Sequence, residues 1–184
     1  MIIIYPHIPQ IKSNMVQTRD FIDSLSNEFE IFEIVTPEND KLAYHDGLKK
    51  IWGKDDIIII EQDVLPTKKF IKNLIECNHK NCGAPVLLCE SHTGLPRKIR
   101  MILDIVMTDD GLNVARWAEL PWGTEYANSL GLACVKISKQ IQLDTMHRFL
   151  NSEFYYPRID EGIVRLLNTK FHVHYEETVE HNCV

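Results

Sequence analysis

The chain has 184 residues, 45% hydrophobic and 25% charged, with a formal net charge of −6. That length and make-up suit one domain with a full core, and the acidic balance argues against duplex nucleic acid as the main partner, because phosphate binding needs a basic face. The five cysteines, Cys77, Cys82, Cys89, Cys134 and Cys183, form no CxxC pair, so neither a disulfide framework nor a zinc ribbon is expected. Spacing does not decide whether Cys77 and Cys82 are bridged. With no run of transmembrane length and no basic leader before Pro6 and His7, the expectation is a protein of the reducing cytoplasm.

In chain order the first half alternates strand and helix. An apolar run over 2–5 predicts a strand, and Phe21, Ile22 and Leu25 mark one face of a helix over 15–25, with Asn14 as cap. A second strand over 29–35 stops at Thr36-Pro37. A helix over 41–52 places Tyr44, Leu48, Ile51 and Trp52 on one side. The isoleucines of 57–60 predict a third strand. A helix over 67–77 follows, with Thr67 as cap, and a fourth strand over 86–89. Strands that are apolar throughout must be covered on both faces, which points to a parallel sheet between helix layers. The second half is mixed: strands over 100–107 and 112–118 flank a Thr108-Asp109-Asp110-Gly111 turn signal, and a loop over 119–130 follows. A strand over 131–137, helices over 138–150 and 160–167, and a strand over 171–175 lead to a tail with His181. No repeat is visible. The whole of 1–184 reads as one domain, with a nucleotide-binding half over 1–90 and an acceptor or catalytic half over 91–184.

The isoleucine strand runs directly into Glu61-Gln62-Asp63, followed by Val64-Leu65-Pro66. Ligands of open α/β sheets bind beyond the carboxyl ends of the strands. Side chains alternate along an extended strand end, so Glu61 and Asp63 should share one side and Gln62 take the other. Paired carboxylates repel unless a cation lies near them, and Mg²⁺ or Mn²⁺ takes one or two carboxylates together with substrate phosphates. Acid pairs at a strand end also simply precede helices, so the pattern gains weight from its setting between a buried strand and a proline-led helix.

In that setting the stretch resembles the acid-x-acid region of GT-A fold glycosyltransferases. The resemblance implies a three-layer α/β/α sandwich with a mostly parallel central sheet and a mixed C-terminal part. It implies a metal-dependent transfer of a sugar from a nucleoside-diphosphate sugar, UDP-linked by family default, to a glycan or protein hydroxyl. By resemblance Asp63 is a ligand of Mn²⁺ or Mg²⁺, and Glu61, which replaces the usual aspartate, contacts the metal shell or the ribose. Gln62 belongs to the same donor-binding stretch, and the strand tips at Pro6 and Thr36 lie where base and ribose sit. Asp160 and Glu161, which open a late helix, resemble the acidic motif that supplies a general base in inverting transfer, with either residue as the base. His181, after a strand and a valine, resembles the closing metal ligand. Arg97, Lys98 and Arg100 form the densest basic cluster, and Trp122 is the better aromatic candidate for an acceptor site, ahead of Trp117. The chain is short for this family, which implies a trimmed acceptor region or reliance on a partner or on self-association.

Three rival readings remain. A nucleotidyltransferase would favour a glycine-rich loop after the first strand, where this chain reads Pro6-His7-Ile8-Pro9-Gln10. A non-catalytic nucleotide-sugar-binding module would keep the fold without turnover. His172 and His174, on one face of the last strand, are the basis of a third reading, a separate transition-metal pair in a metallohydrolase.

Overall fold

The computed structural model describes residues 1–10, 12, 15–88, 99–107, 113–121, 123–127, 130–155, 159–177 and 179–181. Its first half contains β1 (Ile2–His7), α1 (Val16–Leu25), β2 (Glu30–Val35), α2 (Ala43–Lys49), β3 (Ile57–Ile60), β4 (Val64–Leu65), α3 (Lys68–Glu76), β5 (Asn81–Gly83) and β6 (Val86–Leu88). The second half contains β7 (Ile99–Met107), β8 (Asn113–Glu119), β9 (Tyr126–Ala127), β10 (Cys134–Ile137), α4 (Lys139–Leu150), α5 (Ile159–Leu167), β11 (Phe171–Val173) and β12 (Val179–His181).

A seven-stranded sheet in the order β2-β1-β3-β10-β5-β11-β9 forms the centre. β1 pairs in parallel with β2 and β3, and β11 with β5, while β10 and β9 run against their neighbours. The sheet is therefore mostly parallel, and strands from both halves of the chain are interleaved in it. Alternation along the strands divides the core cleanly. Ile2, Ile4, Ile57 and Ile59 pack with Leu48 of α2, Phe149 of α4 and Ile163 of α5. Ile3, Tyr5, Ile58 and Ile60 pack with Ile22 of α1 and Phe70 and Leu74 of α3. All four isoleucines of β3 are 0% exposed, and full burial of each contributes about 1.5–3 kcal/mol. The doubly apolar strands thus become the middle layer of an α/β/α sandwich. No helix among the described residues is long and apolar enough to cross a membrane.

The local signals behave as their chemistry requires. Thr67 caps α3, its hydroxyl accepting from the Phe70 amide at 3.1 Å. Tyr44, Leu48, Ile51 and Trp52 are all buried, although the regular helix ends at Lys49. Asn14, the turn over 108–111, Arg97, Lys98 and Trp122 lie outside the described residues.

Three expectations need correction. The strand that follows α3 in the central sheet is Asn81–Gly83, not 86–89; Val86–Leu88 instead joins a second sheet in the order β4-β12-β6-β7-β8. A three-residue strand shows no periodicity, so composition favoured the more apolar Val86-Leu87-Leu88. The tail after 175 adds a strand, β12, lying between β4 and β6. Finally, Glu61-Gln62-Asp63 is not extended: the Val64 amide donates to the Glu61 carbonyl at 3.1 Å, closing a turn, so the two-residue alternation does not govern those side chains.

Candidate functional site

The carboxyl ends of β1, β2 and β3 lie side by side and are tied to one another. Both the amide and the hydroxyl of Thr36 donate to the His7 carbonyl, at 2.7 and 3.0 Å. The side-chain carbonyl of Gln62 accepts from the Ile8 amide at 2.7 Å. Gln62 therefore braces the end of β1 against the turn after β3. Pro6 is buried within β1 and pairs with Ile34. Glu61, Gln62 and Asp63 are each half-buried in the turn, and Glu61 and Asp63 each have further interactions.

A line of charge runs behind these tips. The Arg19 guanidinium grips both oxygens of Glu33 at 2.8 and 3.1 Å, and Nε2 of His7 lies 3.1 Å from Glu33. The other ring nitrogen of His7 donates to the Ile8 carbonyl at 2.8 Å. Hydrogen bonds from Arg19 hold the Glu33 carboxyl below its usual range. Burial pushes the Tyr5 phenol up to about 12, against the pull of Arg19, and the carboxylates of Glu33, Asp23 and Asp63 add to the rise. The Tyr5 hydroxyl has no hydrogen-bond partner among the described residues. It is a buried polar atom close enough to Asp63 to feel its charge.

The tail reaches the same edge. β12 pairs antiparallel with β4, with the backbone of His181 opposite Val64, the residue next to Asp63. Only a strand returning from the end of the chain brings residue 181 to this turn. Asp160 and Glu161 lie in the first turn of α5, three residues of link before β11. Because β11 runs in the same sense as β1 and β3, so short a link reverses the chain and turns the start of α5 toward the edge where the parallel strands end. The Glu161 carboxylate pairs with Arg165, one turn on, at 3.6 Å.

A second group of ligating side chains lies on the sheet face covered by α3. One ligating atom each from Cys77, Cys82 and His174 lie within 4.8 Å of one another, and this group is able to hold a metal ion. Both cysteines are free thiols, so they do not bridge. The His172 and His174 rings are 4.9 Å apart, on the one face that strand alternation requires. Burial above all pushes the Cys82 thiol up and the two imidazoles down. These sulfur and imidazole donors differ from the oxygen shell of Mn²⁺ or Mg²⁺, whereas the carboxylates at 61 and 63 have the donor chemistry such ions take.

No family model and no curated protein sequence matches this chain. Among solved structures it is similar to A197 from STIV, with a TM-score of 0.52 and 8% identity over 98% of this chain and 84% of that one. Identity that low speaks for the fold alone. Weaker likenesses, on which nothing here rests, are a glycosyltransferase involved in the glycosylation of the major capsid of PBCV-1 and HddC from Yersinia pseudotuberculosis. The first has a TM-score of 0.48 and 11% identity, covering 100% of this chain and 93% of that one; the second has 0.41 and 12%, covering 98% and 92%. The layered, mostly parallel α/β arrangement is the one a GT-A-type domain implies.

Sequence reasoning missed Arg19 and Glu33, which anchor the tips of β1 and β2. Their only trace was an acidic residue in a strand and a basic one on a helix, each common on any surface. It also missed the meeting of Cys77 and Cys82 with His174. The His-x-His pair was visible, but the cysteines belong to another part of the chain.

Proposed function

We propose that this protein is a metal-dependent glycosyltransferase that takes its sugar from a nucleoside-diphosphate sugar. The observation that carries the reading is the convergence of the β1, β2 and β3 tips with the acid-x-acid turn, together with the register of β12 that sets the His181 backbone opposite Val64. Asp63 and His181, with Glu61 in direct contact or one shell removed, would hold Mn²⁺ or Mg²⁺. Such an ion, when bound, neutralises charge gathering on the leaving diphosphate. Gln62 keeps the turn fixed against β1, while Pro6 and Thr36 border the place of base and ribose. In the transfer, Glu161 or Asp160 accepts the proton of the acceptor hydroxyl. The acceptor oxygen attacks the anomeric carbon, the bond from that carbon to the diphosphate breaks, and its electron pair leaves with the nucleoside diphosphate. Attack opposite the leaving group gives inversion. The donor is a nucleotide sugar and the acceptor a glycan or protein hydroxyl.

The test is thermal stability of wild type and Asp63→Ala against UDP, GDP, CDP and dTDP, with and without Mn²⁺. A ligand bound only by the native state raises the melting temperature; at 100 times Kd the gain is about 2.7 kcal/mol, or roughly 5–10 °C for a chain of this size. The expected result is a rise that requires both Mn²⁺ and one of the nucleotides and disappears in Asp63→Ala. If no nucleotide shifts wild type, the reading fails. If nucleotide binds but no donor sugar is turned over, the protein is a binding module instead. Consumption of a nucleoside triphosphate with release of pyrophosphate would make it a nucleotidyltransferase.

A further inference from the structure

We infer that Cys77, Cys82, His172 and His174 form a structural zinc site beneath α3, distinct from the carboxylate edge. The site does not depend on the glycosyltransferase reading. Its ligands come from three segments: Cys77 from the end of α3, Cys82 from β5, and both histidines from β11 and the residue after it. The β5–β11 register sets His172 opposite Cys82. Phe171 and Val173 point into the opposite core layer, so alternation sends 172 and 174 toward α3.

The spacing suits a tetrahedral ion. Zinc–sulfur and zinc–nitrogen bonds of about 2.3 and 2.0–2.1 Å at tetrahedral angles put sulfur about 3.5 Å from nitrogen and about 3.8 Å from the other sulfur. Sγ of Cys77 lies 3.7 Å from Nδ1 of His172. The donor atoms of Cys77, Cys82 and His174 already lie within 4.8 Å of one another, so closure on an ion takes only small side-chain movements. His172 stands outside that close group but has Nδ1 3.7 Å from Cys77 Sγ, and it turns toward the ion to supply the fourth ligand.

Independent features support a bound ion. Nε2 of His174 is buried with no hydrogen-bond partner among the described residues, a costly state that an ion relieves. Neighbouring rings pack against both imidazoles. His79 stacks on His172 at 4.1 Å with planes 16° apart, Tyr126 meets the His172 ring edge-on at 5.7 Å, and Phe70 does the same to His174 at 5.8 Å. Lys136 is only 5% exposed. Its ammonium donates to the Cys77 carbonyl at 2.7 Å and the Ile75 carbonyl at 3.3 Å, placing a fixed positive charge next to where two thiolates form. Binding releases the two thiol protons as Cys77 and Cys82 become thiolates. Two sulfurs with two imidazoles select zinc over Mg²⁺ and Mn²⁺. Four protein ligands leave no open position, so the ion cross-links the C-terminal end of α3 to β5 and β11 and does no chemistry.

The full chain, stripped of metal under reducing conditions, is titrated with Co²⁺ as a spectroscopic stand-in and then with Zn²⁺. The expected result is a thiolate-to-cobalt charge-transfer band with the intense visible absorption of a tetrahedral site, one ion per chain, displaced by Zn²⁺ and accompanied by a higher melting temperature. Cys77→Ser and His174→Ala should lose the band, while Asp63→Ala and Cys134→Ser should keep it. A folded wild type without the band, a band unchanged in both Cys77→Ser and His174→Ala, or a band lost in Asp63→Ala would each overturn the proposal. The wild-type titration decides even where a variant does not fold.

Discussion

The carboxylate edge and the sulfur–imidazole face belong to one sheet and differ in almost everything else. At the edge, Glu61, Gln62 and Asp63 are half-buried beyond the strand ends and their donors are oxygens. Hard cations that keep part of their water shell belong in such a place. On the face, Cys82 is buried beneath α3, beside His174, and the donors are soft. Little water can complete a shell there, so the protein itself must supply every ligand. Position relative to the layers thus selects the chemistry: strand ends remain open to diffusible ligands, and covered faces suit fixed cross-links.

Substitutions separate the edge from the face. The largest effect is expected from Ile59→Ala. Ile59 is 0% exposed and pairs with Ile4 on one side and Val135 on the other, so both regions depend on it. Denaturant unfolding should show a loss of about 2–5 kcal/mol, with nucleotide and cobalt responses weakened together. If only one response suffers, the two regions do not share the sheet as a common support.

Gln62→Ala should cost about 0.5–1.5 kcal/mol, because the half-buried Ile8 amide loses its side-chain acceptor. It should lower the Mn²⁺-dependent nucleotide shift in thermal melts and leave cobalt binding as in wild type. A cobalt response altered to the same degree would erase the distinction between edge and face. Thr67→Ala removes the cap of α3 and should cost about 1 kcal/mol. For a chain of this size that is a fall of about 2–4 °C in melting temperature.

The smallest effect is a pH dependence away from both regions. His45 is fully buried, with Nδ1 accepting from the Phe154 amide at 3.3 Å. Burial first, and then the charge of Lys49, lowers its pKa in the folded chain. Folding therefore favours neutral imidazole, and this contribution is full above the unfolded value of about 6.5 and is lost as the pH falls through the lower folded value. Melting temperatures between about pH 7 and pH 5 should fall less steeply in His45→Asn than in wild type. Equal slopes would remove His45 from the acid response.

What could be read in advance followed the range over which each signal acts. Ile57–Ile60 implied burial on both faces, and both core layers close over it. Thr67 implied a helix start, and its hydroxyl makes the bond. The α/β/α class was legible because it follows from many such local patterns together. The Glu61-Gln62-Asp63 segment was legible as a candidate for binding but not as a turn, since three polar residues fit either conformation. Asn81–Gly83 was invisible as a strand because its polar and small residues are placed in the sheet by their neighbours on β10 and β11.

The sequence alone determined the alternation of buried strands and amphipathic helices and the presence of acids where the most apolar strand ends. These depend on side-chain hydrophobicity at fixed periods of two and 3.6 residues, which are properties of the local chain. Tertiary structure alone decided that residue 181 returns opposite residue 64, that Arg19 and Glu33 brace the strand tips, and that Cys77 and Cys82 meet His174. Such pairings join positions tens of residues apart. They are set by how whole elements pack and pair, to which no single window of sequence has access.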